Sequence, residues 1–250
     1  MLVPRRSFIL ATTVTTLAQS AKKIAVIAHR GEHLQHPENS IAGIQAAASM
    51  GADYVELDVR TTADGGFILS HDATLDRTTN GHGPVSGLAL AEIRQLELKN
   101  GSRVPTFDEA LETLRATATS LYLDAKQISA DAIVRLLQIH KMMERTVVYG
   151  SLPLLQALAA QGPLPRVMPE ARSVETLQTL LRELKPRVVA FDHNDWKPEI
   201  IAIAKQASVD LFVDRLGPND NESAWAEAIR SGATGIQTDH PAGLLGFLKR

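Results

Sequence analysis

Residues 24–31 read Ile24-Ala25-Val26-Ile27-Ala28-His29-Arg30-Gly31, and residues 54–58 read Tyr54-Val55-Glu56-Leu57-Asp58. In the first stretch an unbroken apolar run stops at three residues suited to solvent or a ligand. Apolar runs without polar alternation are what a strand needs when both faces are covered, as in a parallel sheet flanked by helices. Further β-like runs fall at 120–124, 146–150, 165–169, 187–192, 209–213 and 235–238. Between them, helical periodicity covers 39–50, 106–118, 129–141, 151–161, 173–184, 198–207 and 221–231. Thr106-Phe107-Asp108-Glu109 and Ser129-Ala130-Asp131 have the form of capped helix starts. Strands and helices alternating in this way predict an α/β fold, a TIM (β/α)8 barrel occupying residues 22–250.

One segment breaks the alternation. Asp58 continues through Val59-Arg60-Thr61-Thr62 into Ala63-Asp64-Gly65-Gly66, then Phe67-Ile68-Leu69-Ser70-His71. Asp-Gly-Gly between two β-like runs signals a hairpin. Pairing Thr62 with Phe67 would bring Asp58 opposite His71, whereas a slip of one residue would turn His71 to the other face. The stretch 72–105 is too long for a simple barrel loop, so a small insertion after the second strand, covering the site, is expected there.

The bulk properties narrow the partners. Of 250 residues 44% are hydrophobic, enough for one large core, and the net charge is −2. No Lys/Arg-rich stripe is present, which argues against a nucleic-acid partner. There is no cysteine, so disulfides and thiolate chemistry are excluded. Residues 1–21 begin with Arg5-Arg6-Ser7-Phe8, continue through a Thr-rich apolar run over 9–17 and exit through small residues at 18–21. That is the plan of an export signal, and the paired arginines make it twin-arginine-like, which implies a bacterial periplasmic location. An ordinary secretion signal is the plainer alternative. The apolar run is too short for a permanent anchor, so no stable membrane insertion is expected.

Chemistry-bearing residues gather where the strands end. Glu56 and Asp58 are two apart on a strand and share a face. Two such carboxylates repel unless a cation or a proton lies between them. Oxygen ligands favour a hard divalent cation, Ca²⁺ or Mg²⁺, and Asp124 in Leu121-Tyr122-Leu123-Asp124-Ala125-Lys126 offers a third carboxylate. Solvated strand-end acids are the alternative for any one of these residues read alone. Arg30 carries the fork that grips phosphate, and Lys126 is placed to neutralise a phosphate oxygen. His29 and His71 suit general acid–base work near neutrality. The remaining histidines lack such surroundings: His33, His36, His82 and His140 read as surface or structural, and His193 and His240 lie near strand ends without a partner motif.

These blocks resemble the glycerophosphodiester phosphodiesterase family, among the phospholipase-C-like barrel phosphodiesterases. The matching stretches are His29-Arg30-Gly31, Pro37-Glu38-Asn39-Ser40, Glu56-Leu57-Asp58-Val59, Thr62-Ala63-Asp64-Gly65 and His71-Asp72. Leu75-Asp76-Arg77-Thr78-Thr79-Asn80-Gly81, Val104-Pro105-Thr106-Phe107-Asp108-Glu109 and Gly235-Ile236-Gln237-Thr238-Asp239-His240-Pro241 extend the match. The resemblance implies metal-dependent hydrolysis of a small-molecule glycerophosphodiester to glycerol 3-phosphate and an alcohol. It makes His29 and His71 the acid–base pair, Glu56 and Asp58 metal ligands, Arg30 and Lys126 phosphate contacts, and Glu38 and Asn39 supporting residues. Two positions depart from the family pattern. Asp124-Ala125-Lys126 stands where Glu-x-Lys is usual, and Leu211-Phe212-Val213-Asp214 stands where the pattern resembles Trp-Thr-Val-Asn. The first puts the metal's third ligand in question, the second the substrate preference. Lysophospholipase D-like activity on lysolipids, or a barrel that binds phosphodiesters without cutting them, are the competing readings.

Overall fold

The computed structural model describes residues 23–250, so the expected export segment at 1–21 lies outside the described residues. The strands are β1 (Ala25–Ala28), β2 (Tyr54–Thr61), β3 (Phe67–Leu69), β4 (Ser120–Asp124), β5 (Thr146–Tyr149), β6 (Arg166–Val167), β7 (Val188–Phe191), β8 (Asp210–Arg215) and β9 (Gly235–Thr238). The helices are α1 (Ile41–Met50), α2 (Leu90–Ile93), α3 (Phe107–Arg115), α4 (Ala130–Ile139), α5 (Leu152–Gln161), α6 (Val174–Glu183), α7 (Pro198–Gln206), α8 (Glu222–Ser231) and α9 (Pro241–Phe247).

Eight strands run parallel in the order β6-β5-β4-β2-β1-β9-β8-β7, and β3 pairs only with β2. The circle closes where Ala190 of β7 donates to the Pro169 carbonyl and accepts from the Ala171 N–H, at 2.9 and 3.0 Å. This is the expected barrel. β6 is shorter than the run at 165–169 suggested, because Pro165 and Pro169 bracket it and neither has an N–H to give the ladder. Both expected caps are present: the Thr106 hydroxyl accepts from the Glu109 N–H while the Glu109 carboxylate accepts from the Thr106 N–H, and Ser129 caps α4 through the Ala132 N–H.

The period of two along each strand sorts side chains into two packed layers. Val55, Leu57 and Val59 of β2, with Val26 and Ala28 of β1, face the helices and join the main core. Ile27, Tyr122, Val147, Met168, Val188 and Phe212 point the other way and fill the barrel. Glu56 and Asp58 alternate with the outward-facing residues, so they follow Tyr54 along the inner face toward the strand ends.

The hairpin register differs from expectation by one residue. Thr61 pairs with Phe67, Arg60 with Ile68 and Val59 with Leu69. The cause is the turn: Thr62 N–H donates to the Gly66 carbonyl, which leaves three residues at its tip, with Gly65 at φ 84° taking the left-handed position. Ser70, not His71, therefore answers Asp58, through a 3.0 Å bond from the Ser70 N–H to the Asp58 carbonyl. His71 lies past the ladder, and the Arg60 guanidinium holds its carbonyl with bonds of 3.0 and 2.8 Å.

The segment 72–105 builds a small core of its own from Leu75, Val85, Ile93, Leu98 and Val104 packed on Ile68 of β3. Among the described residues no helix is long and apolar enough to cross a membrane.

Candidate active site

The register aligns Asp58 of β2 with Asp124 of β4, so three carboxylates meet at one end of the barrel. One oxygen each of Glu56, Asp58 and Asp124 lies within 4.8 Å of the others. Glu56 and Asp58 are 3% and 1% exposed, far below the usual accessibility of carboxylates. Each acid is held by a separate device. The Asn39 amide donates to Asp58 Oδ2 at 2.8 Å and its carbonyl oxygen accepts from the Asp58 N–H at 3.1 Å. Glu56 accepts from the Arg30 N–H at 2.8 Å. Lys126 Nζ donates to Asp124 at 2.6 Å and stands 3.4 Å from Asp58.

Burial pushes the Glu56 carboxyl well above its ordinary value, and the charges of Asp58 and Asp124 push it further. Burial also raises Asp124, against the pull of Lys126. Arg30 Nε is buried 3.6 Å from Asp58 and has no hydrogen-bond partner among the described residues. Three converging carboxylates, with one lysine bonded among them, form an all-oxygen donor set that fits a hard divalent cation. Asp124, although a methylene shorter than Glu, reaches the cluster.

Two histidine–carboxylate pairs occupy the same rim. His29 follows β1, and its Nδ1 lies 2.7 Å from Asp239 Oδ1. The same oxygen is 2.9 Å from His33 Nε2. Against the upward push of burial, the His29 hydrogen bond and the Gly217 N–H hold the Asp239 carboxyl down at about 2. His71 Nδ1 lies 2.8 Å from Asp72 Oδ1. Asp72 accepts from Arg77 Nε at 2.6 Å, Arg77 Nη2 donates to Glu38 at 2.8 Å, and Arg30 Nη1 donates to the same Glu38 oxygen at 3.0 Å. Alternating charges thus tie His71 to Arg30 and anchor the inserted segment to the rim.

All nine residues singled out in the sequence therefore lie at this end of the barrel or in the network bracing it. His33, read as surface or structural, shares a carboxylate oxygen with His29, and their rings meet edge to face at 5.6 Å. His82 and His140 stand apart, beside Asp76 and Asp108. Residues with no assigned role in the sequence reading are Asp239, Asp72, Arg77 and Arg60. For Asp239 the available signal was its position one residue past β9, the strand paired with β1.

Beside the carboxylates the barrel mouth holds a cavity of about 140 Å³, lined by Tyr122, Asp124, Tyr149, Glu170, Asp192 and Asp214 among others.

Residues 29–243 match the model of the glycerophosphoryl diester phosphodiesterase family. A glycerophosphodiester phosphodiesterase of Caldanaerobacter subterraneus is 29% identical over 245 residues, covering 91% of this chain and 99% of that protein. One from Bacillus subtilis is 28% identical, covering 89% and 85%. Among solved structures, a glycerophosphodiester phosphodiesterase from Agrobacterium tumefaciens superposes with a TM-score of 0.79 at 28% identity, covering 91% of this chain and all of that one. A phosphodiesterase from Oleispira antarctica, solved with the product sn-glycerol-3-phosphate, shares the fold with a TM-score of 0.83 at 24% identity, over 90% of this chain and 97% of that one. The match runs from the first histidine of the rim to beyond the aspartate that holds it, and the chain belongs to the glycerophosphoryl diester phosphodiesterase family.

Proposed function

We propose that this chain hydrolyses glycerophosphodiesters to glycerol 3-phosphate and an alcohol, with His29 and His71 as the acid–base pair. The observation that carries the reading is a buried three-carboxylate cluster sharing one barrel rim with two histidine–carboxylate pairs. Glu56, Asp58 and Asp124 would hold a divalent cation, Ca²⁺ or Mg²⁺. When bound, such an ion neutralises charge on the phosphoryl oxygens.

The remaining steps follow from the chain's own side chains. Arg30 and Lys126 bind the non-bridging phosphate oxygens, Arg30 through its planar fork. Asp239 and Asp72 accept the Nδ1 protons of His29 and His71, which leaves each Nε2 as the exchangeable site, unprotonated on the imidazole that acts as base and protonated on the one that acts as acid. One imidazole takes the proton of the attacking hydroxyl, from water or a neighbouring glycerol hydroxyl. The other delivers a proton to the departing alcohol oxygen. Glu38 and Asn39 bind no substrate in this scheme: Glu38 spaces the two guanidiniums and Asn39 orients Asp58. A periplasmic location, reached through the twin-arginine-like segment, is part of the same reading.

The test is release of glycerol 3-phosphate from glycerophosphocholine by the protein supplied with Ca²⁺ or Mg²⁺. His29→Ala and His71→Ala are each expected to lower turnover by about 10²–10⁴-fold. Retention of full activity by either variant would overturn the two-histidine assignment.

A further inference from the structure

The two histidine–carboxylate pairs of the rim are built differently. Asp72, beside His71, is braced by the Arg77 guanidinium. Asp239, beside His29, faces a second imidazole instead: its Oδ1 is 2.7 Å from His29 Nδ1 and 2.9 Å from His33 Nε2. The Gly217 N–H donates to its other oxygen at 3.1 Å and the Asp239 N–H donates to Asp220 at 2.6 Å, so the carboxylate is fixed from behind. A second donor on Oδ1 weakens its hold on His29 rather than strengthening it, so acid–base chemistry gives His33 no reason to be there. His33 falls between the family-like stretches His29-Arg30-Gly31 and Pro37-Glu38-Asn39-Ser40.

Metal ligation does account for it. One ligand atom each of His29, His33 and Asp239 lies within 4.8 Å of the others, brought together from the end of β1, the loop after it and the end of β9. The three side chains are 15%, 21% and 18% exposed, so an ion and its water can reach them. Tetrahedral ligands about 2.0–2.1 Å from an ion stand about 3.3 Å apart, so each nitrogen need withdraw from the oxygen by only about half an ångström. Two imidazoles and one carboxylate with a fourth position open suit Zn²⁺, whereas the all-oxygen cluster of Glu56, Asp58 and Asp124 suits a hard cation. The Gly217 N–H on the far oxygen of Asp239 supplies the outer hydrogen bond that orients a ligating carboxylate.

We propose that His29, His33 and Asp239 form a second metal site, selective for Zn²⁺, whose occupation shuts off hydrolysis. Zinc takes Nδ1 of His29; the proton there moves to Nε2 of the neutral ring, or leaves to solvent from the imidazolium. Nε2 then has no lone pair for the proton of an attacking hydroxyl, and its N–H is a far weaker acid toward a departing oxygen than that of an imidazolium. Either role of His29 is blocked while the cation at the carboxylate cluster stays in place. The inhibition rests on the proposed hydrolysis; the zinc site stands without it.

The experiment titrates the full chain in saturating Mg²⁺ with Zn²⁺ by calorimetry and with Co²⁺ by visible absorption, beside His33→Gln, His193→Gln and Glu56→Gln. The unmodified chain is expected to bind Zn²⁺ with an affinity that does not fall as Mg²⁺ is raised, and Co²⁺ to show the intense d–d bands of imidazole ligation in low coordination. His33→Gln should weaken zinc binding by about 100-fold or more, with His193→Gln and Glu56→Gln leaving it unchanged. Displacement of zinc by Mg²⁺, or its loss in Glu56→Gln, would put it in the carboxylate cluster, and loss in His193→Gln would put it beside Asp192 and Asp214. Each of these results overturns the site, and should His33→Gln fail to fold they still decide. Turnover of glycerophosphocholine should fall by about tenfold or more as zinc fills the unmodified chain. His33→Gln, scored against its own zinc-free rate, should need about 100-fold more zinc for the same loss. Full turnover with zinc bound overturns the inhibition. Absence of turnover even without zinc fells the proposed function and takes the inhibition with it, the zinc site then being judged by calorimetry and absorption alone.

Discussion

Asp239 is the residue on which the first histidine depends. Its Oδ1 serves both His29 and His33, 210 and 206 residues away in the chain. Asp239→Asn removes the anionic acceptor that sets the His29 tautomer, and turnover should fall by about 10–10²-fold with little change in KM. The same carboxyl has a pH signature. Its folded value of about 2 lies below its ordinary 3.8, so its stabilisation is complete above about pH 4 and is lost as pH falls through 2. Melting curves between pH 4 and 2 should show a steeper acid loss in the unmodified protein than in Asp239→Asn, by about 2 kcal/mol at most. Asn39 plays the equivalent part for Asp58, and it does so with a backbone φ of 55°. Asn39→Ala should weaken Ca²⁺ binding, read by calorimetric titration, by about 10–100-fold. The carboxylates were legible in the sequence because a period of two puts Glu56 and Asp58 on one face, and Asp124 ends the neighbouring strand. Asp239 and His33 were not, since their meeting depends on closing the barrel from opposite ends of the chain.

At the level of elements, the turn after β1 decides whether the rim forms. Gly31 adopts φ 82°, and a Cβ there would meet the Gly43 carbonyl carbon of α1 at 2.9 Å. Backbone on backbone cannot give way cheaply, so Gly31→Ala should destabilise by about 2 kcal/mol or more and lower the melting temperature accordingly. A melting temperature unchanged from the parent would show that the turn is not held as described. The barrel strands were readable because strands buried on both faces carry unbroken apolar runs. The register of β2 on β3 was not, because the pattern Ala63-Asp64-Gly65-Gly66 serves turns of two lengths and only the φ of Gly65 separates them. α9 escaped notice because its seven residues follow directly on the closing Asp239-His240 block, too short for a helical period to declare itself.

For the molecule as a whole, the barrel brings the carboxylates of Glu56, Asp58 and Asp124 together at one end of a protein whose net charge is −2. A carboxyl whose folded value is raised, as burial and its neighbours raise Glu56, holds its proton more tightly folded than unfolded. Its contribution therefore favours the fold at low pH and turns against it as pH rises above the ordinary value of 4.5. A bound divalent cation reverses that cost, so the gain in melting temperature on adding Ca²⁺ or Mg²⁺ to chelated protein should grow from pH 5 to pH 8. The most direct test is phosphorus NMR of glycerophosphocholine with chelated protein, followed in one tube before and after adding the cation. The account predicts a stable diester signal until the ion is added, then its conversion to the glycerol 3-phosphate monoester signal. Conversion at the same rate in the chelated protein would contradict it.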